Sequence, residues 1–214
     1  GSISQVMHLP ILSKFPDVEI VGICDKDKSK TKILADKFKI HNYYTDYNEL
    51  LKNEDIKGVI IATPTDTHHE ISIAALENNK DVFVEKPIAR NFIEAKQIND
   101  KAKETKKKLM VGMNNRFRPD TMLLKTFIQK GEIGKIFYIK TGWLKKQSTL
   151  EKWFTQKEKS GGGVFLDHGI VLLDLSLWML GFPDVKSVQS SFYYHETKKV
   201  EDFSFSMIKL SNNT

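Results

Sequence analysis

Short β-branched runs alternate with longer amphipathic runs through roughly the first 110 residues, and this alternation constrains the fold more than any other feature. Buried strands are predicted over residues 18–24, 58–62, 81–85 and 109–113. Helices are predicted between them, over residues 28–38, 67–78 and 92–105, with a helical turn at 47–51. Strands separated by helices pair in parallel through right-handed crossovers. The pattern therefore predicts an α/β domain with a doubly wound parallel sheet.

Polar residues gather where the predicted strands end. Asp25 follows the first strand, Thr63 and Pro64 follow the second, and Glu85 and Lys86 close the third. The fourth strand runs into Asn114, Asn115 and Arg116. Doubly wound sheets bind their ligands at the carboxyl ends of the strands, so a ligand site is predicted at this edge.

The pattern changes after Pro119. Helices are predicted over residues 122–130 and 165–180, the second entered through the glycines at 161–163, and strands over 135–144, 185–194 and 202–210. This order indicates an α+β domain with a mostly antiparallel sheet, of which only the beginning is expected here. We therefore expect a Rossmann-like dinucleotide-binding domain over residues 1–118 and the start of a substrate and oligomerisation domain over 119–214.

Composition excludes several classes of protein. Of the 214 residues, 40% are hydrophobic and 28% are charged, as in globular rather than disordered chains. The single cysteine, Cys24, excludes a disulfide scaffold and, with the lack of an apolar leader, favours the cytoplasm. The net charge of +6 comes from lysines spread along helical faces, so no nucleic-acid partner is expected. The apolar stretch 164–181 contains Asp167, His168 and Asp174, so no membrane span is predicted.

The first residues have the spacing of a dinucleotide-binding loop whose first half, with its strand, is missing. A helical stretch is predicted over residues 5–14 with no strand before it. If Gly1 is the second glycine of a G-x-G-x-x-G/A loop, Ser4 holds the third small position. Asp25 then lies about 20 residues further on, where such loops have their ribose-binding carboxylate. A Gly-Ser cloning scar at the start and a helix-capping role for Asp25 are the competing interpretations.

The chemistry of such a site indicates which cofactor it would take. Backbone N–H groups at a helix N-terminus hold a pyrophosphate. The Asp25 carboxylate would accept hydrogen bonds from both adenosine ribose hydroxyls and would repel a 2′-phosphate. The prediction is therefore NAD, with the neighbouring Lys26 leaving NADP open.

Several short motifs occur together in a fixed order along the chain. They are Gly1-Ser2-Ile3, His8-Leu9-Pro10, Thr63-Pro64-Thr65 with His68, Glu85-Lys86-Pro87, Asn115-Arg116-Phe117, the triple glycine 161–163, and Asp167 with Gly169. On these motifs the sequence resembles the glucose–fructose oxidoreductase/inositol dehydrogenase/MocA family of nicotinamide-dependent oxidoreductases. The resemblance covers nearly the whole chain.

The resemblance implies specific roles for these residues. It implies that Lys86 lies beside the nicotinamide and the reacting hydroxyl, where it orients that hydroxyl or exchanges its proton. Glu85 is expected to position Lys86 or the cofactor amide. The implied cofactor-binding residues are Gly1, Ser2, Ile3, Asp25, Lys26, Thr63, Pro64, Thr65, His68, Glu85, Lys86, Asn114 and Arg116.

The helix after the triple glycine departs from the family pattern. The family carries Asp-x-Gly-x-His, with the two polar side chains four residues apart on one face. Here Asp167 is present but Val171 stands at the histidine position, and His168 is about 100° round a regular helix from Asp167. Valine cannot carry a proton, so either Lys86 with Asp167 does the proton work, or the substrate differs from the usual polyol, or the protein no longer turns over. The first alternative is the expectation. The implied substrate residues are Trp153, Asp167, His168 and Asp174.

No metal site is predicted. His68 and His69 are adjacent, but adjacent side chains on a helix point about 100° apart. No third ligand is evident in the sequence.

The leading interpretation is an NAD(P)-dependent oxidoreductase that moves a hydride between nicotinamide and a hydroxyl-bearing carbon of a sugar, cyclitol or related polyol. The alternative is a dinucleotide-binding sensor or scaffold without catalysis, which Val171 favours. A nucleic-acid binder is a third interpretation, drawn from the charge alone. The expected partners are a small polyol or sugar-like substrate and further copies of the chain, joined through the sheet of the second domain.

Overall fold

A computed structural model describes residues 1–145, 153–212 and 214. The chain divides into two compact units, unit 1 from Gly1 to Val111 and unit 2 from Gly112 to Thr214.

Unit 1 alternates strands and helices as predicted. Its strands are β1 (Gly22–Cys24), β2 (Asn42–Tyr44), β3 (Gly58–Ile61), β4 (Asp81–Val84) and β5 (Leu109–Val111). Its helices are α1 (Leu9–Leu12), preceded by a π turn (Ser4–His8), then α2 (Lys28–Phe38), α3 (Tyr47–Leu51), α4 (His68–Glu77) and α5 (Phe92–Thr105). A 3-10 turn (Thr65–Thr67) leads into α4.

The sheet of unit 1 is parallel throughout. One ladder joins β1 to β2, and a second joins β3, β4 and β5 in that order. Gly58 is opposite Asp81, and Val82 is opposite Leu109. The predicted parallel α/β class is therefore confirmed, with the carboxyl ends of β3, β4 and β5 at one edge.

Capping explains where two of the helices begin and end. Asp27 accepts a hydrogen bond from the Lys30 N–H at 3.0 Å, and Asn91 accepts one from the Glu94 N–H at 3.0 Å. Both helices end on a lysine in the left-handed region, Lys39 and Lys106, each with a φ of 56°. These local signals account for the agreement between predicted and observed bounds of α2 and α5.

The core of unit 1 lies between one face of the second ladder and helices α3, α4 and α5. In β4, Val82 and Val84 are buried while Asp81 and Phe83 are half-buried, so the strand has one fully covered face. On α4, Ala75 and Leu76 have no exposed surface. The other face of the ladder is more open, since Ile60 on β3 and Met110 on β5 are 40% and 47% exposed.

Unit 2 combines helices with an antiparallel hairpin. It contains a 3-10 turn (Asn114–Phe117), α6 (Pro119–Gln129), α7 (Lys157–Ser160), a π turn (Phe165–Gly169), α8 (Ile170–Leu180), β6 (Val185–Tyr193) and β7 (Phe203–Leu210). Strands β6 and β7 pair from Val185 opposite Leu210 to Tyr193 opposite Phe203. The predicted antiparallel sheet after the parallel one is confirmed.

Two predictions of secondary structure were wrong, and one strand was not predicted. Residues 135–144 were predicted as a strand, but they join no ladder among the described residues of unit 2. The first strand is only Gly22–Cys24, not residues 18–24, since β2 offers three partners. Strand β2 was not predicted, because three residues are too few to show a periodicity.

One helical stretch, Lys157–Leu180, is long and apolar enough to be a candidate membrane span, and 11% of its apolar window is buried. A single such helix is weak evidence, because the core helix of a water-soluble protein has the same length and composition. The absence of a membrane partner stays a prediction.

Candidate active site

Gly1 and Asp25 meet at the strand-end edge of unit 1. The Gly1 nitrogen lies 3.5 Å from Asp25 Oδ2. A Cβ atom at Gly1 would stand 2.5 Å from the carbonyl oxygen of Ala62, so this close approach requires glycine. Asp25 also accepts a hydrogen bond from the Asp27 N–H at 3.1 Å, which fixes its carboxylate at the end of β1.

The residues after β3 form a turn held by side-chain hydrogen bonds. Thr67 Oγ1 lies 2.7 Å from Thr63 Oγ1 and donates to the Pro64 carbonyl at 2.8 Å. Thr63 and Pro64 are exposed, whereas Thr65 is 3% exposed. A ligand at this edge would therefore reach Thr63 and Pro64 more readily than Thr65.

His68 lies beneath this edge and binds backbone. It is 1% exposed, with Nδ1 2.8 Å from the Pro87 carbonyl oxygen and Nε2 2.9 Å from the Thr63 carbonyl oxygen. Both acceptors are carbonyl oxygens, so only the imidazolium donates to both, whereas a neutral ring donates to one. His68 ties the segment after β3 to the segment after β4. Because the His68 ring is buried, it has no surface left to contact a cofactor. In this it differs from the exposed residues of the predicted cofactor-binding set.

Glu85 and Lys86 directly follow β4 and precede Pro87, whose carbonyl contacts His68. The Glu85 N–H donates to the Ile61 carbonyl at 2.9 Å, and Glu85 Oε1 is 2.8 Å from His8 Nε2. The His8 ring meets the Phe83 ring edge-on, with centroids 5.6 Å apart. Lys86 is half-buried and is joined to Pro87 by a cis peptide bond. His8 was not among the predicted site residues, because it is 77 positions from Glu85 in the chain.

In unit 2, the structure joins Arg116 and Asp174, which were predicted for separate roles. Arg116 Nε donates to Asp174 Oδ2 at 2.8 Å, and its terminal nitrogen donates to Oδ1. The guanidinium also lies 5.2 Å from the centre of the Phe182 ring. Hydrogen bonding to Asp174 raises the pKa of Arg116 above its ordinary value. The pair anchors the 3-10 turn to α8, while the predicted cofactor and substrate roles stay predictions.

The triple glycine brings the π turn close to the backbone before β7. The Val164 N–H donates to the Glu201 carbonyl at 2.9 Å, and the Phe165 N–H donates to Glu201 Oε1 at 3.1 Å. A Cβ atom at Gly163 would overlap the Glu201 carbonyl oxygen. Glycine at position 163 is therefore needed for this packing.

Asp167 and His168 are neighbours in space as well as in sequence. Asp167 Oδ2 lies 3.3 Å from His168 Nε2. The His168 ring contacts the Trp143 ring, with centroids 4.9 Å apart. Val171 is buried at 6% exposure. Trp143 was not predicted as a site residue, whereas the predicted Trp153 stacks on Phe154 at 3.7 Å.

Several further predicted residues are exposed, and no metal cluster is formed in the described part of the chain. Lys26 and Asn114 are exposed, as are Gly1, Ser2 and Ile3. Among residues 1–145, 153–212 and 214, no three His, Cys, Asp or Glu side chains come together as metal ligands.

The parallel sheet, the glycine at its edge and the acidic residue after β1 define a Rossmann-type dinucleotide-binding unit. The family model described as the oxidoreductase family with an NAD-binding Rossmann fold, GFO/IDH/MocA, matches residues 1–113. The GFO/IDH/MocA C-terminal domain model matches residues 121–214. The chain belongs to the GFO/IDH/MocA family of oxidoreductases, which confirms the resemblance.

Relatives are similar over most of this chain but are longer. The chain is 32% identical to D-glucoside 3-dehydrogenase of Escherichia coli, over 89% of this chain and 54% of the relative. It is 35% identical to scyllo-inositol 2-dehydrogenase (NAD(+)) of Bacillus subtilis, over 80% of this chain and 49% of the relative. The chain thus spans about half the length of these curated relatives.

A solved structure shows the same fold. Levoglucosan dehydrogenase in complex with NADH and levoglucosan superposes with a TM-score of 0.81 at 26% identity, over 96% of this chain and 59% of that one.

Proposed function

We propose that the protein containing this chain is an NAD-dependent dehydrogenase that acts on a secondary hydroxyl of a sugar, cyclitol or related polyol. The observation that carries the proposal is the fixed position of Lys86 at the strand-end edge. Glu85 on one side is held by His8, and Pro87 on the other side is held by His68. The relatives named as glucoside, inositol and levoglucosan dehydrogenases support the substrate class.

The residues of unit 1 fit a dinucleotide. Gly1 approaches the Ala62 carbonyl as only glycine can, and the start of the first helical segment beside it would offer backbone N–H groups to a pyrophosphate. The Asp25 carboxylate would accept the ribose hydroxyls and disfavour a 2′-phosphate, which supports NAD over NADP. The exposed Ser2, Ile3, Lys26, Thr63 and Pro64 would line the same edge, and Asn114 and Arg116 keep their predicted cofactor roles.

The cofactor and the side chains of this chain would have separate chemical roles. NAD, when bound, supplies a hydride acceptor at C4 of its nicotinamide. Lys86 orients the substrate hydroxyl or exchanges its proton, and Asp167 supports that proton transfer. Trp153, His168 and Asp174 are proposed to contact the substrate.

The test is a pair of variants in the complete protein, Lys86→Ala and Asp167→Asn. General acid–base groups contribute about 10²–10⁴-fold, so each variant should lower kcat by about that factor while NADH affinity stays nearly unchanged. Turnover is followed by the absorbance of the reduced cofactor with a panel of sugars and cyclitols, and affinity by NADH fluorescence. The control is Lys96→Ala on α5, whose side chain is 59% exposed and pairs with Asp100. Wild-type turnover in both variants would contradict the assignment.

The second candidate is a dinucleotide-binding sensor or scaffold. The buried Val171 favours it, because no proton carrier stands at the position where the family has histidine. NADH binding without turnover on the whole panel, with NAD and NADP, would support the sensor over the enzyme.

Three further features are part of the proposal. We also propose a domain boundary between residues 118 and 119 and a cytoplasmic location. Homo-oligomerisation through the sheet of unit 2 is supported by apolar residues on β7, since Phe205 and Met207 are 61% and 58% exposed. Gel filtration of the complete protein tests the last point, and a monomer at working concentration would contradict it.

A further inference from the structure

A polar cleft of about 540 Å³ lies at the edge of unit 1 where the parallel strands begin. Lys57 and Lys80 directly precede β3 and β4, and Lys107 comes two residues before β5. The strands are parallel, so this edge is opposite the carboxyl ends that are proposed to bind the cofactor. The charged residues that line the cleft are Lys52, Lys57, Lys80, Lys107, Glu54 and Glu77.

Positive charge predominates in this lining. The Glu77 carboxylate is already paired, since its Oε1 lies 3.2 Å from the Lys101 ammonium. Glu54 is exposed, and its backbone carbonyl accepts a hydrogen bond from Lys57 Nζ at 2.8 Å. Among the residues that the structure describes, no carboxylate is within ion-pair distance of Lys52, Lys80 or Lys107.

Lys80 places a buried cation in the wall of the cleft. It is 6% exposed, and its Nζ donates to the Asn53 carbonyl at 2.8 Å. This hydrogen bond uses one of the three donors of the ammonium. Lysine is rarely buried to this extent without a partner of opposite charge, because removing a charge from water costs free energy that a counter-charge offsets. The cleft therefore contains a desolvated positive charge with a neutral acceptor as its partner.

The helix ends at this edge have the opposite polarity. Helices α3 and α4 end at Leu51 and Glu77, and the carbonyl groups at a helix C-terminus repel an anion. Lys57 and Lys80 each donate to a carbonyl of the turn that follows α3, which offsets this repulsion. Each of the two ammonium groups keeps two further donors.

We propose that this cleft is an anion site that binds a small oxyanion of the phosphate class, either free phosphate or a phosphorylated small molecule. The ammonium groups of Lys52, Lys80 and Lys107 would be its ligands, because lysine binds phosphate through charge-assisted hydrogen bonds. A cleft lined by cations also raises the local concentration of anions. This site is separate from the proposed dehydrogenase site and does not depend on it.

The first test measures binding directly. Inorganic phosphate and glycerol 3-phosphate are titrated into the complete protein by calorimetry, with sodium chloride at the same ionic strength as the reference. We expect saturable binding of at least one of them, with the same affinity in the presence and absence of NADH, because the cleft lies at the opposite edge from the proposed cofactor. Equal affinities would show that the phosphate group alone is recognised, and tighter binding of glycerol 3-phosphate would show that the organic part contributes. No saturable binding of either anion would overturn the proposal.

The second test removes single ammonium groups. Lys80→Met and Lys107→Gln should each raise the Kd by about tenfold or more, since hydrogen bonds to charged groups are among the stronger ones. Lys107 is half-buried, so Lys107→Gln tests the site even if Lys80→Met does not fold. The matched control is Lys32→Gln, an exposed lysine on α2, which changes the net charge equally and should leave the Kd unchanged. Equal Kd values in Lys107→Gln and the control would overturn the assignment.

A third measurement uses the stability of the fold. A ligand that binds only the folded state raises the free energy of unfolding. The urea midpoint should therefore rise more with phosphate in the wild type and in Lys32→Gln than in Lys107→Gln. A general salt effect of phosphate would be the same in all three proteins, so equal rises would contradict a specific site. None of these measurements needs turnover, so the anion site can be decided even if the proposed dehydrogenase function fails.

Discussion

His68 in unit 1 and His168 in unit 2 show two uses of the same side chain. His68 is 1% exposed and both of its ring nitrogens face backbone carbonyls, so it fixes the chain. His168 is partly exposed, with Nε2 3.3 Å from Asp167 Oδ2 and its ring against that of Trp143. The comparison teaches that two histidines predicted for the same site can have different surroundings, so the loss of the buried ring should cost more stability than the loss of the partly exposed one.

Both units combine pairs of side chains with hydrogen bonds from backbone to side chain. In unit 1, His8 pairs with Glu85, and Asp27 accepts from the Lys30 N–H. In unit 2, Arg116 pairs with Asp174, and Glu201 accepts from the Phe165 N–H. The expected effects below therefore follow the burial of each contact rather than its kind.

The largest expected effect is the loss of the His68 contacts. His68→Leu removes the ring that lies between the Pro87 carbonyl, in a buried contact, and the Thr63 carbonyl, in a half-buried one. A neutral ring donates to one of them, and a buried acceptor left without its donor costs roughly 1–3 kcal/mol. We expect the free energy of unfolding of unit 1 to fall by about 1–3 kcal/mol, measured by urea denaturation. The matched control is His69→Leu, the next residue on α4, which should change it by less than about 0.5 kcal/mol. Equal effects of the two variants would break the comparison.

A smaller effect is expected from the ion pair of unit 2. Arg116→Met removes the partner of Asp174, whose side chain is 13% exposed. The cost should be about 1–2 kcal/mol, between the values for exposed and fully buried pairs. A double-mutant cycle with Asp174→Asn measures the coupling. The Arg118–Asp120 pair, with side chains 62% and 66% exposed, is the control and should show little coupling.

The smallest effect at neutral pH concerns Cys24. Burial, with a contribution from the Asp25 charge, raises the pKa of this thiol to about 11 from a model-peptide value of 9.0. Alkylation at pH 8 should therefore be much slower in the folded protein than in urea, because the thiolate is the nucleophile. The stability that the neutral thiol contributes is present below pH 9 and is lost as the pH rises through about 11. Equal alkylation rates in the folded and unfolded protein would show that Cys24 is not buried.

The sequence predicted the parts of the fold that local signals determine. Helix α5 was predicted over its observed range because Asn91 caps its start and Lys106 ends it in the left-handed region. The proposed strand at residues 135–144 was wrong because alternation indicates an extended chain but does not provide a pairing partner. Phe165, at the start of the π turn, donates its N–H to Glu201 Oε1, 36 positions away, and local periodicity does not reveal such a contact.

The site was predicted only in part. Short motifs pointed to Asp25, Thr63, Glu85 and Lys86 because strand ends are visible in the sequence. His8 belongs to one of the motifs, but its contact with Glu85 was not predicted, and neither was the contact of Trp143 with His168, because the partners come from distant segments. The assigned roles of the site residues stay predictions until the variants are measured.

The link between His8 and Glu85 has a practical consequence for protein engineering. A chimera that receives its first helical segment from another homologue acquires a new neighbour for Glu85, even when every residue of β4 is left unchanged. The two segments, 77 positions apart in the chain, therefore form one exchangeable module. Attempts to alter coenzyme preference by swapping the amino-terminal segment alone will also alter the environment of the adjoining lysine.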